Sequence, residues 1–383
     1  MAGIVIAGAG QAGVECAFGL RAAGYAGEVT LIGAEPGLPG QRPPLSKSYL
    51  KSRGTEAPLP FRGAALYDRQ RIGFLAGCAL RGIDRGARRL ALSDGRALDY
   101  DRLVLATGAR NRVLPLPGFG PGEVLGLRDL ADADMLIARL PGLRRLAVIG
   151  AGFIGLEVAA ALAGSGIAVT VLEAGPRVMA RAVSAEVSAW FERLHRGMGT
   201  DLRLGVEVAR REPGAVVLAD GTRIAADAVL VAAGVVPDTN LAAAAGLATG
   251  NGILTDDLHR SSDPAIFAIG DVAMAPNRWA ADPVRLESVA NATEQARRVA
   301  AHLAGKPVPD PAVPWFWSHQ GAGRLQMAGL ARPQDASRVI EDTGEVLVVE
   351  RHRGGRLVAL ETVNALRLHM AARKAIAPER VPA

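Results

Sequence analysis

Two short glycine-rich segments carry the residues best suited to chemistry in this chain of 383 residues. Each follows a β-rich apolar run and leads into an alanine-rich stretch: IVIAGAGQAGVE begins at Ile4, and AVIGAGFIGLE begins at Ala147. In a G-x-G-x-x-G pattern the glycines allow a tight turn and a close backbone approach to a diphosphate, which rests on the positive end of the next helix. Two copies predict two dinucleotides on one polypeptide, and therefore redox chemistry between them.

An acidic residue follows the second predicted strand of each unit. Glu35 comes 22 residues after Gly13, and Glu173 comes 18 residues after Gly155. At this spacing a carboxylate can accept hydrogen bonds from the ribose hydroxyls of a bound nucleotide. The carboxylate of Glu173 would also repel a 2′-phosphate, so we predict NADH over NADPH. The nearby Arg177 and Arg181 leave that preference open.

A further acid, Asp271 in AIGD, follows a later apolar strand. It lies where the ribityl chain of a flavin could be held, and no such motif accompanies the second unit. We therefore assign FAD to the first glycine motif and NADH to the second. The alternative role for Asp271 is to cap the N-terminus of a helix.

The elements that must position these residues form a duplication. We predict strands at residues 4–7, 29–32 and 103–105, a helix at 12–23, and matching strands from residue 146 and at 169–172. The segment LADGTRIAADAVLVAAG repeats the turn, the aspartate, the apolar strand and the terminal A-x-G of LALSDGRALDYDRLVLATGA. The repeat therefore extends well beyond the glycines.

Two proline-rich and glycine-rich segments, 114–122 and 306–314, are predicted linkers. A tail with strand-like alternation in GEVLVVERHRGGRLVALETV follows, and a helix is expected near 288–303. We predict an α/β fold with two Rossmann-like domains and a small C-terminal α+β domain. The expected limits are 1–112 and 237–312 for the FAD-binding domain, 113–236 for the NADH-binding domain, and 313–383 for the C-terminal interface domain.

Composition disfavours several functional classes. The net charge of +6 and pI near 9.8 come mostly from dispersed arginines, with no like-charged run or aromatic interleaving typical of nucleic-acid binding. No signal-peptide pattern is visible, and no apolar stretch reaches the roughly 18 residues of a membrane span, so we predict a cytoplasmic protein without membrane partners. None of the six histidines has metal-ligand spacing, and no metal is expected.

The two cysteines, Cys16 and Cys78, lie in apolar surroundings far apart in sequence. Flavoproteins that reduce disulfides need a C-x-x-C or C-x4-C pair, which this spacing cannot provide. Both are predicted to be buried free thiols.

Seven segments together resemble the NADH-dependent ferredoxin reductases of bacterial oxygenase systems. They are IVIAGAGQAGVECAFGLRAAGY, QRPPLSKSYL, LALSDGRALDYDRLVLATGA, VIGAGFIGLEVAAALA, IFAIGDVA, RLESVANATEQARRVAAHL and PWFWSHQGAGRLQMAGL. The resemblance extends from Ile4 to about Asn364. It implies a glutathione-reductase-like arrangement in which the tail domain closes over the flavin.

The resemblance also implies residues for each cofactor. For FAD these are Gly8, Gly10, Ala12, Gly13, Glu35, Arg42, Pro44, Lys47, Leu80, Thr107, Gly108, Arg128, Gly270, Asp271, Glu287, Val289 and Trp317. For NADH they are Gly150, Gly152, Ile154, Gly155, Glu173 and Gly234.

Three residues are expected to be catalytic. The resemblance pairs Lys47 with Glu157 beside the flavin, and it places Trp317 over the flavin where the electron acceptor docks. Simpler roles stay open. Lys47 could be a solvated surface residue, Glu157 could be an acid that is favoured only by the dipole of its helix, and Trp317 could belong to the core of the tail domain. The chain departs from the family in Ala34, where an Asp is usual, and in His319, where an acid is usual.

The implied function is an NADH:ferredoxin oxidoreductase that passes electrons through FAD to a [2Fe-2S] ferredoxin, or to a rubredoxin, and so to a monooxygenase or dioxygenase. A basic reductase suits an acidic acceptor. The expected oligomeric state is a monomer or weak homodimer. Two alternatives stay open: an NADH oxidase or quinone-type flavoenzyme without a protein acceptor, and a redox sensor resembling apoptosis-inducing factors.

Overall fold

The computed structural model describes residues 3–56, 59–120 and 122–379. The first strands are β1 (Gly3–Ala7), β2 (Val29–Ile32), β3 (Ile72–Leu75), β4 (Leu80–Asp84), β5 (Arg89–Leu92), β6 (Ala97–Leu105) and β7 (Ala109–Asn111). Next come β8 (Arg145–Ile149), β9 (Ala168–Glu173), β10 (Asp201–Leu204), β11 (Val208–Glu212), β12 (Ala215–Leu218), β13 (Arg223–Ala225), β14 (Ala228–Val231) and β15 (Val235–Pro237).

The remaining strands are β16 (Thr249–Gly250), β17 (Gly252–Leu254), β18 (Ile266–Ala268), β19 (Ala273–Met274), β20 (Trp315–Gln320), β21 (Gly323–Gly329), β22 (Ala336–Asp342), β23 (Leu347–Arg353) and β24 (Arg356–Val363). The helices are α1 (Gln11–Ala22), α2 (Ser48–Lys51), α3 (Ala64–Arg69), α4 (Leu130–Arg139), α5 (Phe153–Leu162), α6 (Ala185–Gly197), α7 (Asn240–Ala244), α8 (Val289–Leu303) and α9 (Leu366–Ala375). A single 3₁₀ turn, Gly270–Val272, follows β18.

The first glycine motif lies at the edge of a parallel sheet with the order β3-β2-β1-β6-β18. Every residue of β1 is buried, as expected for an apolar strand covered on both faces. Strand β6 is shared: residues 97–99 pair with β5 in the antiparallel meander β4-β5-β6, and residues 103–105 pair with β1 and β18. The carboxyl ends of these parallel strands therefore meet at one edge.

The second glycine motif lies at the same place in a second sheet, with the order β10-β9-β8-β14. A meander, β11-β12-β13, again precedes the strand that completes the sheet. The single long strand β6 of the first unit corresponds to two strands in the second unit. These are β13 and β14, which are separated by two residues. The predicted duplication is confirmed.

The chain passes twice between these two units, and the two passages pair with each other. Strand β7 leads out of the first unit, β15 leads back, and they form an antiparallel ladder from Ala109↔Pro237 to Asn111↔Val235. Helix α8, near the end of the first unit, then packs against α1 through buried alanines. Segments distant in sequence thus build one dinucleotide-binding unit.

The C-terminal unit is an antiparallel sheet with the order β20-β21-β24-β23-β22, and α9 lies against it. One hydrophobic cluster joins it to both other units, and it includes Leu50, Leu156, Val187, Leu325 and Val363. The predicted α/β fold with a C-terminal α+β unit is confirmed. This shared core packs the C-terminal unit against α5, which contains Gly155, the last glycine of the second motif.

Several smaller predictions can be compared with the structure. The segments 114–120 and 306–314 contain neither helix nor strand, as predicted for linkers, while residues 1, 2, 57, 58, 121 and 380–383 of the predicted segments lie outside the described residues. Cys16 and Cys78 are both buried free thiols, as predicted, and burial raises the pKa of Cys16 to about 12. Among the described residues, no helix has the length and apolar character to cross a membrane.

A buried ion pair should dominate the stability of the C-terminal sheet. Arg351 and Glu361 are almost fully buried, with Nη1 and Oε1 2.7 Å apart, and the other oxygen of Glu361 accepts from the amide of Ser184 2.9 Å away. We expect Arg351→Met to lower the free energy of unfolding by about 3–5 kcal/mol, because it leaves a buried carboxylate without its counter-charge.

The matched control is Arg338→Met on the neighbouring strand, since Arg338 is 68% exposed in its pair with Glu350. That change should cost at most about 1 kcal/mol. Urea unfolding followed by circular dichroism measures both variants. Equal losses in the two variants would contradict this account of the sheet.

Candidate dinucleotide and electron-transfer site

The two glycine turns are subject to the same steric constraints. They contain Gly8, Gly10 and Gly13 in the first copy, and Gly150, Gly152 and Gly155 in the second. The first glycine of each has a positive φ, +116° and +104°, and a Cβ there would approach the backbone of the strand alongside. A Cβ on the third glycine would overlap the carbonyl oxygen of the first. At these four positions a side chain is therefore excluded by the protein's own backbone.

The middle glycines differ, and they test whether a dinucleotide fits. A Cβ on Gly10 or Gly152 would have no protein atom within 4 Å, so the space above each turn is open. Both glycines precede a helix whose first turn has no side-chain cap and no acidic residue. Free amides and the helix dipole then face the open space, which is the environment that a diphosphate requires. Both cradles fit a dinucleotide.

The predicted ribose acids lie just beyond β2 and at the end of β9, but their surroundings differ. Glu35 is about half exposed and pairs with Arg42, another residue predicted for FAD. Glu173 accepts from the amides of Ala151 and Gly175, each at 2.8 Å. The carboxylate of Glu173 is thus held against the second glycine turn itself, and its remaining lone pairs can accept from a ligand.

The two arginines that left the nucleotide preference open have different environments. The guanidinium of Arg177 is turned inward: Nη1 donates to the carbonyl of Val183 at 2.8 Å and to Ser188 Oγ at 2.8 Å, and Nη2 donates to the carbonyl of Ala180 at 2.8 Å. Reaching a 2′-phosphate would cost Arg177 these bonds. Arg181 is the exposed member of the pair.

Asp271 lies in the 3₁₀ turn that follows β18, and its carboxylate bonds Arg128 at 2.9 Å. The residue in the cap position of that turn is Ile269, so capping does not explain the aspartate. Gly108 lies beside the Arg128 guanidinium, and the amide of Gly270 donates to Gln295 Oε1 at 2.7 Å. The structure therefore brings together four residues that were predicted for FAD: Gly108, Arg128, Gly270 and Asp271.

Glu157 is the centre of the site. It lies on α5 with only 3% of its side chain exposed, and Oε2 accepts from Lys47 Nζ at 2.6 Å. Oε1 accepts from Ser318 Oγ of β20 at 2.7 Å, and the hydroxyl of Ser46 also donates to Oε2. The predicted pair of Lys47 and Glu157 is formed. Ser46 and Ser318 were not predicted, since no sequence pattern marks a serine that bonds an acid over 100 residues away.

The loop before α2 fixes Lys47. The carbonyl of Pro44 accepts from the amides of Lys47 and Tyr49 at 3.0 Å, and Lys47 Nζ also donates to the carbonyl of Pro43 at 3.2 Å. Three donors therefore surround the Glu157 carboxylate, and one of them, the Lys47 ammonium, is also its counter-charge. This is the condition under which a buried charge can be tolerated.

The aromatic residues of β20 occupy both faces of that strand. Phe316 contacts Phe153 of α5, with ring centroids 4.5 Å apart, on the side that carries Ser318. Trp315 and Trp317 stack on each other, with centroids 5.3 Å apart, and the guanidinium of Arg373 lies 4.2 Å from the Trp315 centroid. Trp317 is half-buried, so it is not simply a core residue of the C-terminal unit.

His319 is the exposed residue between Ser318 and Gln320. Partial burial, followed by the nearby positive charges of Lys47 and Arg324, lowers its pKa. The imidazole is therefore neutral at pH 7, and it adds no charge beside Lys47.

The other predicted residues form no bond to Glu157 among the described residues. They are Ala12, buried in α1; Leu80, the buried first residue of β4; Thr107, which donates to the Asp238 carbonyl at 2.9 Å; Ile154, 40% exposed on α5; Gly234, with φ +94°; Glu287, paired with Arg285 at 2.6 Å; and Val289, which begins α8. No cluster suited to a metal ion occurs in the part of the chain that the structure describes.

Comparison with known proteins identifies the family of this chain. Residues 2–296 match the family model of the pyridine nucleotide-disulphide oxidoreductases, and residues 315–383 match the reductase C-terminal domain. Rhodocoxin reductase of Rhodococcus erythropolis is 47% identical over 383 residues, which cover 98% of this chain and 90% of that protein.

Two solved structures are also similar. The ferredoxin reductase of the CYP199A2 system from Rhodopseudomonas palustris has a TM-score of 0.94 at 43% identity, covering 98% of this chain and 94% of that one. Putidaredoxin reductase in its covalent complex with putidaredoxin has a TM-score of 0.94 at 42% identity, covering 100% and 94%. The chain belongs to the pyridine nucleotide-disulphide oxidoreductase family, whose reductases use FAD and NAD(H), and to its branch of ferredoxin reductases.

Proposed function

We propose that this chain is an FAD-dependent NADH:ferredoxin oxidoreductase, whose acceptor is a [2Fe-2S] ferredoxin that feeds a monooxygenase or dioxygenase. The observation that carries the proposal is the Glu157 centre. A buried carboxylate on the helix of one glycine cradle is bonded to the loop before α2 and to the strand of Trp317. The names of the relatives support a redoxin as the acceptor, with rubredoxin as the second candidate.

The residues divide between two cofactors. FAD is held by the first cradle, by Glu35 and by the Arg128–Asp271 pair, and NADH is held by the second cradle and by Glu173. When bound, FAD accepts a hydride from NADH and supplies electrons singly to an iron–sulfur protein. The protein positions the reactants: Glu157 fixes the Lys47 ammonium, and Trp317 covers the site on the side of the C-terminal unit.

The domain limits predicted above are part of this proposal. The FAD-binding domain comprises 1–112 and 237–312, the NADH-binding domain 113–236, and the interface domain 313–383. The ladder between β7 and β15 supports the limits near 112 and 237, because it lies where the chain passes between the two sheets. Cytoplasmic location is also proposed, and two buried free thiols suit a reducing compartment. We propose a monomer or weak homodimer.

The surface around Trp315 is proposed as the acceptor's docking site. Helix α9 exposes Leu366, Leu368 and Met370 by 57%, 42% and 44%, and its last turn carries Arg373 and Lys374. Apolar side chains beside two cations suit a partner with an acidic rim around an apolar centre. Arg373 lies over the stacked tryptophans, so this surface is continuous with Trp317.

Reduction of cytochrome c by NADH should require both this protein, loaded with FAD, and a suitable [2Fe-2S] ferredoxin. We expect turnover to rise at least about tenfold on adding the ferredoxin, because docking next to Trp317 shortens the electron path. The control omits NADH. Rapid, steady NADH oxidation without ferredoxin would favour the oxidase alternative, and a slowly reoxidised flavin with a long-lived NAD complex would favour the redox sensor.

Glu173→Gln should relax the preference for NADH. The amide keeps one acceptor oxygen, so one of the two backbone N–H groups that bond Glu173 loses its partner, and the change removes the charge that repels a 2′-phosphate. The ratio of kcat/KM for NADPH to that for NADH should therefore rise about tenfold. Glu192→Gln removes the same charge from a partly exposed pair with Arg196 on α6 and should leave the ratio unchanged. An unchanged ratio in Glu173→Gln would assign the preference to other residues.

Arg373→Ala should weaken docking of the acceptor. We expect KM for ferredoxin to rise roughly fivefold, with a smaller dependence on ionic strength, since a cation at the rim mainly accelerates association. Reduction of ferricyanide, which needs no docking surface, should be unaffected. Arg81→Ala on the exposed side of β4 is the control. If reduction of ferredoxin is insensitive to salt in the unmodified protein, the electrostatic part of the proposal is wrong.

A further inference from the structure

Two buried residues that the proposed reaction does not use are joined to the Glu157 centre. Gln320 of β20 and His195 of α6 are both fully buried, and His195 Nε2 lies 2.9 Å from Gln320 Oε1. Gln320 Nε2 lies 3.1 Å from Ser318 Oγ and 3.6 Å from Met179 Sδ. With the bond from Ser318 to Glu157, these contacts form one chain from the interior of α6 to Lys47.

The directions of these bonds follow from counting donors and acceptors. His195 Nδ1 is buried and has no hydrogen-bond partner among the described residues. A proton on Nδ1 would be an unpaired buried donor, which is rarer in proteins than an unpaired acceptor. The proton therefore belongs on Nε2, and it is donated to Gln320 Oε1. Burial lowers the pKa of His195, which keeps the ring neutral with a single proton.

The amide of Gln320 is then fixed in one orientation. Its oxygen faces His195, so its NH2 group faces Ser318 Oγ and the Met179 sulfur, which is a weak acceptor. The Ser318 oxygen thus accepts one bond. Its single proton is left for Glu157 Oε1, 2.7 Å away. With the opposite amide orientation, Ser318 would donate to Gln320, and Glu157 would lose a donor.

We infer that His195 and Gln320 are positioning residues that fix the Ser318 hydroxyl so that it donates to Glu157. Side chains alternate between the two faces of β20, so fixing Ser318 and Gln320 also fixes Trp317. Ser318 and Gln320 point toward α5 and α6, so the intervening strand presents Trp317 on the opposite face. The chain of bonds therefore holds both the Lys47–Glu157 pair and the tryptophan in place. Its consequence for electron transfer rests on the proposed function, whereas the bond directions do not.

Nitrogen NMR of protein labelled with ¹⁵N-histidine, purified with FAD bound, tests the directions. We expect His195 to be neutral between pH 7 and pH 8, with its proton on Nε2. In Gln320→Met, which keeps the volume but removes both polar groups, the proton should lose this bond and the two tautomers should mix. A proton on Nδ1 in the unmodified protein would overturn the inference, whatever the activity.

Stopped-flow reduction of the flavin by NADH tests the consequence. Gln320→Met and His195→Leu should each slow reduction about tenfold, with the dissociation constant for NADH unchanged. The double variant should be no slower than the slower single variant, because both break the same chain. His195→Gln can still donate to Gln320 and should retain the rate within about twofold.

The control is Gln334→Met, an exposed glutamine of the same unit. Additive losses, or an unchanged rate in folded Gln320→Met, would overturn the positioning role. If His195→Leu fails to fold, the NMR result and the His195→Gln rate decide the question. If NADH does not reduce the flavin even in the unmodified protein, the proposed function fails, while the NMR test of the bond directions still stands.

Discussion

A carboxylate removed from water must be surrounded by donors, and in this protein that requirement falls on Glu157. Its donors come from two distant parts of the chain: Lys47 and Ser46 before α2, and Ser318 on β20. Neither the first unit nor the C-terminal unit can move away without removing a donor from this buried charge. The geometry of the Glu157 centre and the relative placement of the units therefore depend on the same few hydrogen bonds.

Around that centre, the duplicated sheets provide similar cradles with different surroundings. In both copies the outer glycines are needed by the backbone itself, and the middle glycine faces open space. The differences lie in the acids. Glu35 is held by an arginine side chain at the surface, whereas Glu173 is held by backbone amides of its own turn. The cradle is common to both copies, and the residues beyond it differ between them.

The sequence was most informative about features that depend on residues close together in the chain. The strands, the uncapped helices after the glycines, and the repeated meanders follow from patterns a few residues long. The pairing of Lys47 with Glu157 was predicted only through the resemblance. Ser46, Ser318, Gln320 and His195 were missed as parts of one network, because they meet only after three units have packed. The bond between Arg128 and Asp271, 143 residues apart, is of the same kind.

The long excursion between β6 and β18 has a consequence for biosynthesis. The second sheet has all its strands once Val231 has been made, whereas the first sheet lacks its last strand until Ala268 has left the ribosome. The unit that begins first is thus completed later. A nascent chain can complete the second sheet early. The edge of β6 stays unpaired until β18 has been synthesised.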